Sequence, residues 1–233
     1  MFRHIPHQRY LAILGGLFAA VFTLSAIRLH HPADWLLENA LVVLGIAVLI
    51  AFRRRMLFSR ISYTLIFVFL CLHELGAHYT YAEVPYRQWF PVFGGGRNQF
   101  DRLVHFTYGL LLAYPVREIF LRIANVRGFW GYFLPLDLTM STSMLYELIE
   151  WAAAEFFGGE LGQAYLGTQG DIWDAHKDMA LASAGALLAM LLTAALNARL
   201  QRDFAREWNE SLRVKHSAPL GEDEIARLRR TRR

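Results

Sequence analysis

The chain has 233 residues, of which 55% are hydrophobic and 19% are charged, and its mean hydropathy is +0.26. This apolar share is above that of a soluble globular domain, which the composition therefore excludes. The formal net charge of +4 comes from short connections and the C-terminal tail, so nucleic acid is not expected as a partner.

Six apolar segments follow one another along the chain, and each approaches or reaches the roughly 20 residues that cross a bilayer. They cover residues 10–29, 36–52, 57–81, 103–120, 129–151 and 177–197. None shows the two-residue alternation of a strand, and a membrane accommodates only helices or closed barrels. The sequence predicts an all-α, polytopic membrane helix bundle of about six transmembrane helices, with a transmembrane helical domain over 1–198 and a basic cytoplasmic tail over 199–233.

Basic residues are concentrated in alternate connections. They precede the first span, separate the second from the third and the fourth from the fifth, and follow the sixth, whereas the other connections carry few. Because positive charge favours the cytoplasmic side, both termini are predicted to lie in the cytoplasm. The loops 82–100 and 152–170 are then predicted to lie outside. The tail after Arg199 fits either amphipathic helices resting on an anionic leaflet or a disordered solubilising segment.

Ionisable side chains occur at the end of the third span and the start of the fourth. Glu74 and His78 are four residues apart and share a helix face, as do Asp101 and His105. His73 precedes Glu74 in a sequence that begins like a zinc-protease motif. That motif requires a second histidine four residues after the first, and His78 comes five residues later, so a thermolysin-like site is not expected.

The fifth span closes with two carboxylates, and the sixth opens with an acidic stripe. Glu147 and Glu150 are three residues apart, while Asp171, Asp174 and Asp178 follow one another at the spacing of one helix face. Two of these have an alternative interpretation. Asp171 suits an N-cap of the sixth helix, and Glu150 suits the water interface.

The predicted topology brings these clusters to one side of the membrane. The third and fifth spans end at the outer boundary, where the fourth and sixth begin. Because charged side chains are costly in lipid, we expect them to converge in a pocket open to the outer side. The residues expected there are Glu74, His78, Asp101, His105, Glu147, Asp174 and Asp178.

Negative charge exceeds fixed positive charge in this group. With Glu150 and Asp171 included, these helical segments carry seven carboxylates and only two fixed cations, Arg102 and Lys177. The remaining negative charge must be hydrated, protonated or balanced by a bound cation. Imidazole together with carboxylate suits a divalent zinc, iron or manganese ion. The predicted metal ligands are His73, His78, Asp101, His105, Glu147, Asp174 and Asp178. Glu74 is a candidate general acid or base, and Arg102 a candidate contact for an anionic headgroup.

Three motifs carry a resemblance to a known family. They are HELGAHYTY at 73–81, RNQFDRLVHF at 97–106 and GDIWDAHKD at 170–178. With the spans around them they resemble the YjdF-like family of bacterial inner-membrane proteins, from about the second span to the sixth. The resemblance implies a multi-pass protein of the bacterial inner membrane and supplies no reaction.

Three functions are consistent with these residues. The first is a membrane-embedded, metal-binding site near the outer leaflet that acts on a lipid or envelope precursor. The second is a small proton- or metal-coupled carrier, for which Asp137 is the main midspan candidate and no inverted repeat is evident. The third is a structural membrane protein whose polar residues hold helices together, and the excess of negative charge counts against it.

Overall fold

A computed structural model describes residues 6–85, 96–215 and 221–231. The described residues form nine α-helices and one short 3₁₀ turn, with no strand among them, which confirms the all-α prediction. The helices are His7–Ser25 (α1), Pro32–Phe52 (α2), Arg60–Tyr79 (α3), Phe100–Arg122 (α4), Trp130–Phe157 (α5), Gly159–Leu166 (α6), Asp174–Leu200 (α7), Phe204–Ser211 (α8) and Glu222–Thr231 (α9), and the 3₁₀ turn is Tyr81–Glu83.

Six of these helices are 19 to 28 residues long. Four of them, α1, α2, α3 and α7, are both long and apolar enough to cross a membrane. Helices α4 and α5 have the length, but ionisable side chains interrupt their apolar segments, among them Asp101 and Arg117 on α4 and Asp137 and Glu147 on α5. The protein is thus a polytopic helical membrane protein, and the count of six spans stays a prediction.

The exposed faces of the bundle are apolar. Leu44 and Ile50 on α2 and Leu191 and Leu196 on α7 are each more than half exposed, as are many other large aliphatic side chains. A water-soluble monomer seldom exposes apolar surface on this scale. These faces are suited to lipid, which solvates them without requiring polar groups.

Helices α4 and α7 make the most extensive helix contact in the described chain. Two glycines allow it: Gly109 lies against the backbone of Ala182 and Ala186, and Gly185 lies against the backbone of Phe106. Small residues let membrane helices approach until their backbones touch. Asp101 lies close to Asp178 near the start of both helices, and Ala113 packs in one cluster with Met190 further along both. The helices α4 and α7 therefore run in the same direction, and their N-terminal ends meet.

A polar network at the opposite end of the bundle joins α3 to α4. The Glu118 carboxylate accepts hydrogen bonds from the Ser59 backbone N–H at 2.9 Å and from the Ser62 hydroxyl at 2.5 Å, and it pairs with Arg122 at 2.7 Å. The N-terminus of α3 is thereby held against the C-terminal part of α4, which makes these neighbours antiparallel.

The tail begins with a helix that packs on the bundle. In α8, the Ser211 hydroxyl accepts a hydrogen bond from the Phe129 N–H, and the Ser211 carbonyl accepts one from the Trp130 indole. Trp208 packs on the ring of Tyr132. The first part of the predicted tail therefore contacts the helical domain, while the domain boundary at residue 198 stays a prediction.

The orientation can be tested by thiol labelling of intact cells. In a Cys71→Ser background, Glu160→Cys on α6 is expected to react with an impermeant reagent, and Arg54→Cys between α2 and α3 is expected to be protected until the membrane is permeabilised. Both side chains are exposed, so accessibility across the membrane decides the result. The reverse pattern would overturn the predicted orientation. Gly94 and Gly95 in the other outer loop lie outside the described residues.

Candidate functional site

Three side chains meet where the N-terminal ends of α4 and α7 touch. Asp101 and His105 lie one turn apart on α4, and Asp178 lies on α7. One ligand atom from each residue lies within 4.8 Å of the other two, and this is the one group of at least three such residues found in the described chain. His105 and Asp178 are buried and Asp101 is partly exposed.

Helix α5 adds a further carboxylate to this group. Its Glu147 Oε1 is 3.4 Å from His105 Nε2, and Asp101 Oδ1 is 3.5 Å from the same nitrogen. Glu150 lies one turn further along α5 and is also buried. The imidazole therefore lies between carboxylates from two helices.

The remaining acidic residues of α7 and the preceding loop are paired with cations. Asp174 accepts from Arg97 at 2.5 Å and is 3.4 Å from Arg102, and Asp171 pairs with Arg102 at 2.5 Å and with Lys177 at 2.6 Å. The Lys177 ammonium and the Trp173 N–H hold the pKa of Asp171 well below its usual range. The N-cap interpretation of Asp171 is wrong, because α7 begins at Asp174 with Trp173 at its N-cap position and no side chain caps it. Asp171 instead accepts from the Trp173 N–H two residues later, in a turn before the helix.

The other carboxylates of the site are not paired with cations in this way. Within the described residues, no ion pair joins Asp101, Glu147 or Asp178 to an arginine or lysine. Asp178 is 2% exposed, and neither its Oδ1 nor Glu147 Oε1 has a hydrogen-bond partner in this part of the chain. Buried polar atoms are rarely left unpaired, and binding of a cation is one way in which carboxylate oxygens of this kind are satisfied.

A cavity of about 500 Å³ opens beside this group, between α2, α3, α4 and α5. Its lining is largely apolar, with residues such as Val48, Leu70 and Leu112. Polar side chains line one part of it and include the edge of the acidic group: Glu38, His73, Tyr81, Asp101, His105 and Tyr146. The cavity thus combines a large apolar volume with ionisable side chains.

His73 lies beside the cavity and outside the group of three. Its Nδ1 is 2.5 Å from the Tyr81 hydroxyl, and both residues line the cavity. Tyr81 lies in the 3₁₀ turn, and its ring packs against Gly76. A residue larger than glycine at position 76 would overlap this ring. One ring nitrogen of His73 is therefore hydrogen-bonded to the Tyr81 hydroxyl, eight residues later in the chain.

Glu74 and His78 are turned toward α1, so the expected convergence of seven residues does not include them. The Ser25 hydroxyl donates to Glu74 Oε2 at 2.5 Å, and His78 Nδ1 is 2.8 Å from the Ser25 carbonyl oxygen. The cause is helix rotation, because the face that holds residues 74 and 78 packs on α1 while His73 faces the cavity. The catalytic role of Glu74 and the ligand role of His78 stay predictions.

Two contributions to the site come from residues that the sequence interpretation passed over. Glu38 on α2 is 4% exposed and accepts a hydrogen bond from the Tyr146 hydroxyl at 3.2 Å, and Arg97 binds Asp174 from the loop before α4. The sequence does contain a pattern that points to Glu38. Asp34 and Glu38 repeat the four-residue spacing seen at the other helix ends, and the second span also begins at the predicted outer face.

These features define a class: a multi-pass helical protein with a buried acidic and histidine group beside an apolar cavity. Residues 10–199 match the family model described as predicted membrane protein (DUF2238), and the chain belongs to that family. The inner membrane protein YjdF of Escherichia coli (strain K12) is 38% identical over 185 residues, which cover 77% of this chain and 87% of that protein. No solved structure matches. The chain is therefore a multi-pass protein of the bacterial inner membrane, as predicted.

Proposed function

We propose that this protein binds a divalent cation at Asp101, His105 and Asp178 and acts on the polar end of a lipid or envelope precursor. The observation that carries the proposal is the close approach of these three side chains next to the apolar cavity. Without a cation, the group would gather carboxylates in a buried place with only neutral or weakly basic partners, which is costly.

The donor set narrows the choice of ion. Two aspartates and one histidine form a mixed oxygen and nitrogen set, and Glu147 beside His105 can supply a fourth ligand. Such a set suits zinc, iron or manganese better than a soft, thiolate-bound metal. When Glu147 stays outside the coordination sphere, the three protein ligands leave a position for a water or a substrate oxygen, as a catalytic centre requires.

The cavity supports a substrate with a long apolar part. A volume of about 500 Å³ lies within the range of ligand sites, and most of the lining is aliphatic or aromatic. Asp101 and His105 belong both to the cavity wall and to the proposed centre. A lipid chain lying among the aliphatic residues would therefore bring its polar end to the cation.

Among the carboxylates outside the proposed ligand set, Glu38 is best placed for proton transfer. It lines the cavity and is held by the Tyr146 hydroxyl, whereas Glu74 is engaged with Ser25 on the α1 side. A general acid or base must come within hydrogen-bond reach of the reacting group, and position in the cavity satisfies this better. Arg102 is bound to Asp171 and Asp174 and is not among the residues that line the cavity, so its contact with an anionic headgroup stays a prediction.

Metal analysis of detergent-purified protein tests the proposal. The wild type is expected to retain close to one equivalent of zinc, iron or manganese, and His105→Ala and Asp178→Asn are each expected to weaken binding by about 100-fold or more, because each removes a direct ligand. The controls His176→Ala and Glu155→Gln likewise remove an imidazole and neutralise a carboxylate, but away from the group, and should retain the metal. His176 instead packs on Trp173.

Equal metal content in the wild type and in folded His105→Ala protein would contradict the proposal. In that case the polar group would be assigned to helix packing, since hydrogen bonding between helices needs no ion.

A further inference from the structure

A second cavity, which is lined by more polar groups than the first, lies at the other end of the bundle. It has a volume of about 450 Å³ between α4, α5, α7 and α8 and is lined by Arg117, Tyr132, Asn197 and Gln201 among others. Arg117 follows Asp101 by 16 residues on the same helix, which places them about 24 Å apart along its axis. This cavity is therefore separate from the proposed metal centre.

Arg117 is the notable residue in this cavity. Its guanidinium lies 4.6 Å from the centre of the Tyr132 ring, and its Nε is buried without a hydrogen-bond partner among the described residues. No ion pair in the described part of the chain includes Arg117. A guanidinium stacked on a ring keeps its in-plane N–H donors for another group, and those donors match the oxygens of a phosphate.

The surroundings favour an anion. Arg127 lines the same cavity, and its ion pair with Glu207 is a long one of 3.9 Å, in which the arginine side chain is 70% exposed. The charged residues that line the cavity are Arg117, Arg127 and Glu207, so its net charge is positive. Asn197 donates to the Tyr132 hydroxyl at 2.8 Å, which fixes the ring beneath Arg117.

Nearby apolar residues indicate that the anion belongs to a lipid. Tyr114, Leu121 and Phe204 line the cavity together with the polar side chains. The predicted orientation places this end at the cytoplasmic leaflet, which is rich in anionic lipids. Basic pockets between membrane helices at this level suit lipid headgroups.

We propose that the cavity beneath α8 binds the phosphate of an anionic phospholipid through Arg117. Glu207 and Arg127 at its mouth would then face the headgroup, and α8 would be held against the bundle more firmly when the lipid is bound. The site needs no metal and does not depend on the proposed function.

Thermal unfolding of the full-length protein in detergent tests this inference. Added phosphatidylglycerol is expected to raise the Tm by about 5 °C at concentrations well above its Kd, and phosphatidylcholine is expected to raise it much less. Arg117→Gln should weaken the effect of phosphatidylglycerol by about tenfold or more in concentration. Arg54→Gln removes a charge from the exposed loop between α2 and α3 and should respond as the wild type does.

The remaining measurements distinguish the sources of phosphate. If inorganic phosphate at equal concentration stabilises the protein as strongly as phosphatidylglycerol, the site recognises free phosphate and the lipid assignment fails. Should Arg117→Gln not fold, Arg117→Lys keeps the charge but loses the paired donors, and it is expected to bind phosphatidylglycerol less tightly than the wild type. Equal responses of the wild type and an Arg117 variant would overturn the proposal.

Discussion

Replacing Gly185 with leucine is expected to leave little folded protein in the membrane, and Gly109→Leu is expected to do the same. A Cβ at Gly185 would overlap the carbonyl oxygen of Phe106, and one at Gly109 would overlap that of Ala182. Backbone atoms cannot rotate away as a side chain can, so α4 and α7 would have to separate. We expect a loss above about 4 kcal/mol, which is a large part of a typical stability.

The amount of monodisperse protein after detergent extraction, measured by size-exclusion chromatography of a fluorescent fusion, checks this expectation. Gly16→Leu is the matched control, because it is the same change on a predicted spanning helix where a Cβ meets nothing within 4 Å. A yield of Gly185→Leu equal to that of Gly16→Leu would mean that α4 and α7 are not in backbone contact. The proposed metal centre would then be wrong as well, since the contact of α4 with α7 also brings Asp178 close to Asp101 and His105.

The Asp178→Asn variant is expected to lose the stabilisation by metal while remaining at least as stable as the wild type in chelator. Asp178 is 2% exposed and has no arginine or lysine partner in the described chain. Asparagine has nearly the same shape and carries no charge, so it removes a metal ligand together with a source of repulsion. At 100 times its Kd, a cation stabilises the wild type by about 2.7 kcal/mol, and the variant should gain almost none of this.

Thermal unfolding with and without zinc or manganese, after removal of bound metal, measures both parts of the prediction. For a chain of this size the lost increment corresponds to roughly 5 to 11 °C in Tm. Glu155→Gln, an acidic residue exposed on α5, should behave as the wild type does under both conditions. A marked drop in the Tm of Asp178→Asn in chelator would instead show that the carboxylate holds the helices together.

The sequence predicted which helix ends meet, but it predicted the helix faces only in part, and the roles assigned to these residues stay predictions. Residue spacing correctly grouped Asp101 with His105, and alternating topology correctly placed Asp178 and Glu147 near them. The same spacing rule also grouped Glu74 with His78, and it was right that they share a face. That face packs on α1, which spacing within one helix cannot reveal.

The amino-acid sequence by itself determined that this protein is helical and belongs in a membrane. Long apolar segments leave the backbone no partner in lipid other than itself, so each must form a helix whatever its neighbours are. Only the tertiary structure decided which side of each helix faces the site. Rotation about a helix axis follows from packing between helices, and here the contact of Gly109 and Gly185 sets the rotation of α4 and α7. Ser25 on α1 and Tyr81 after α3 likewise decide that His73, rather than Glu74 or His78, lies at the cavity.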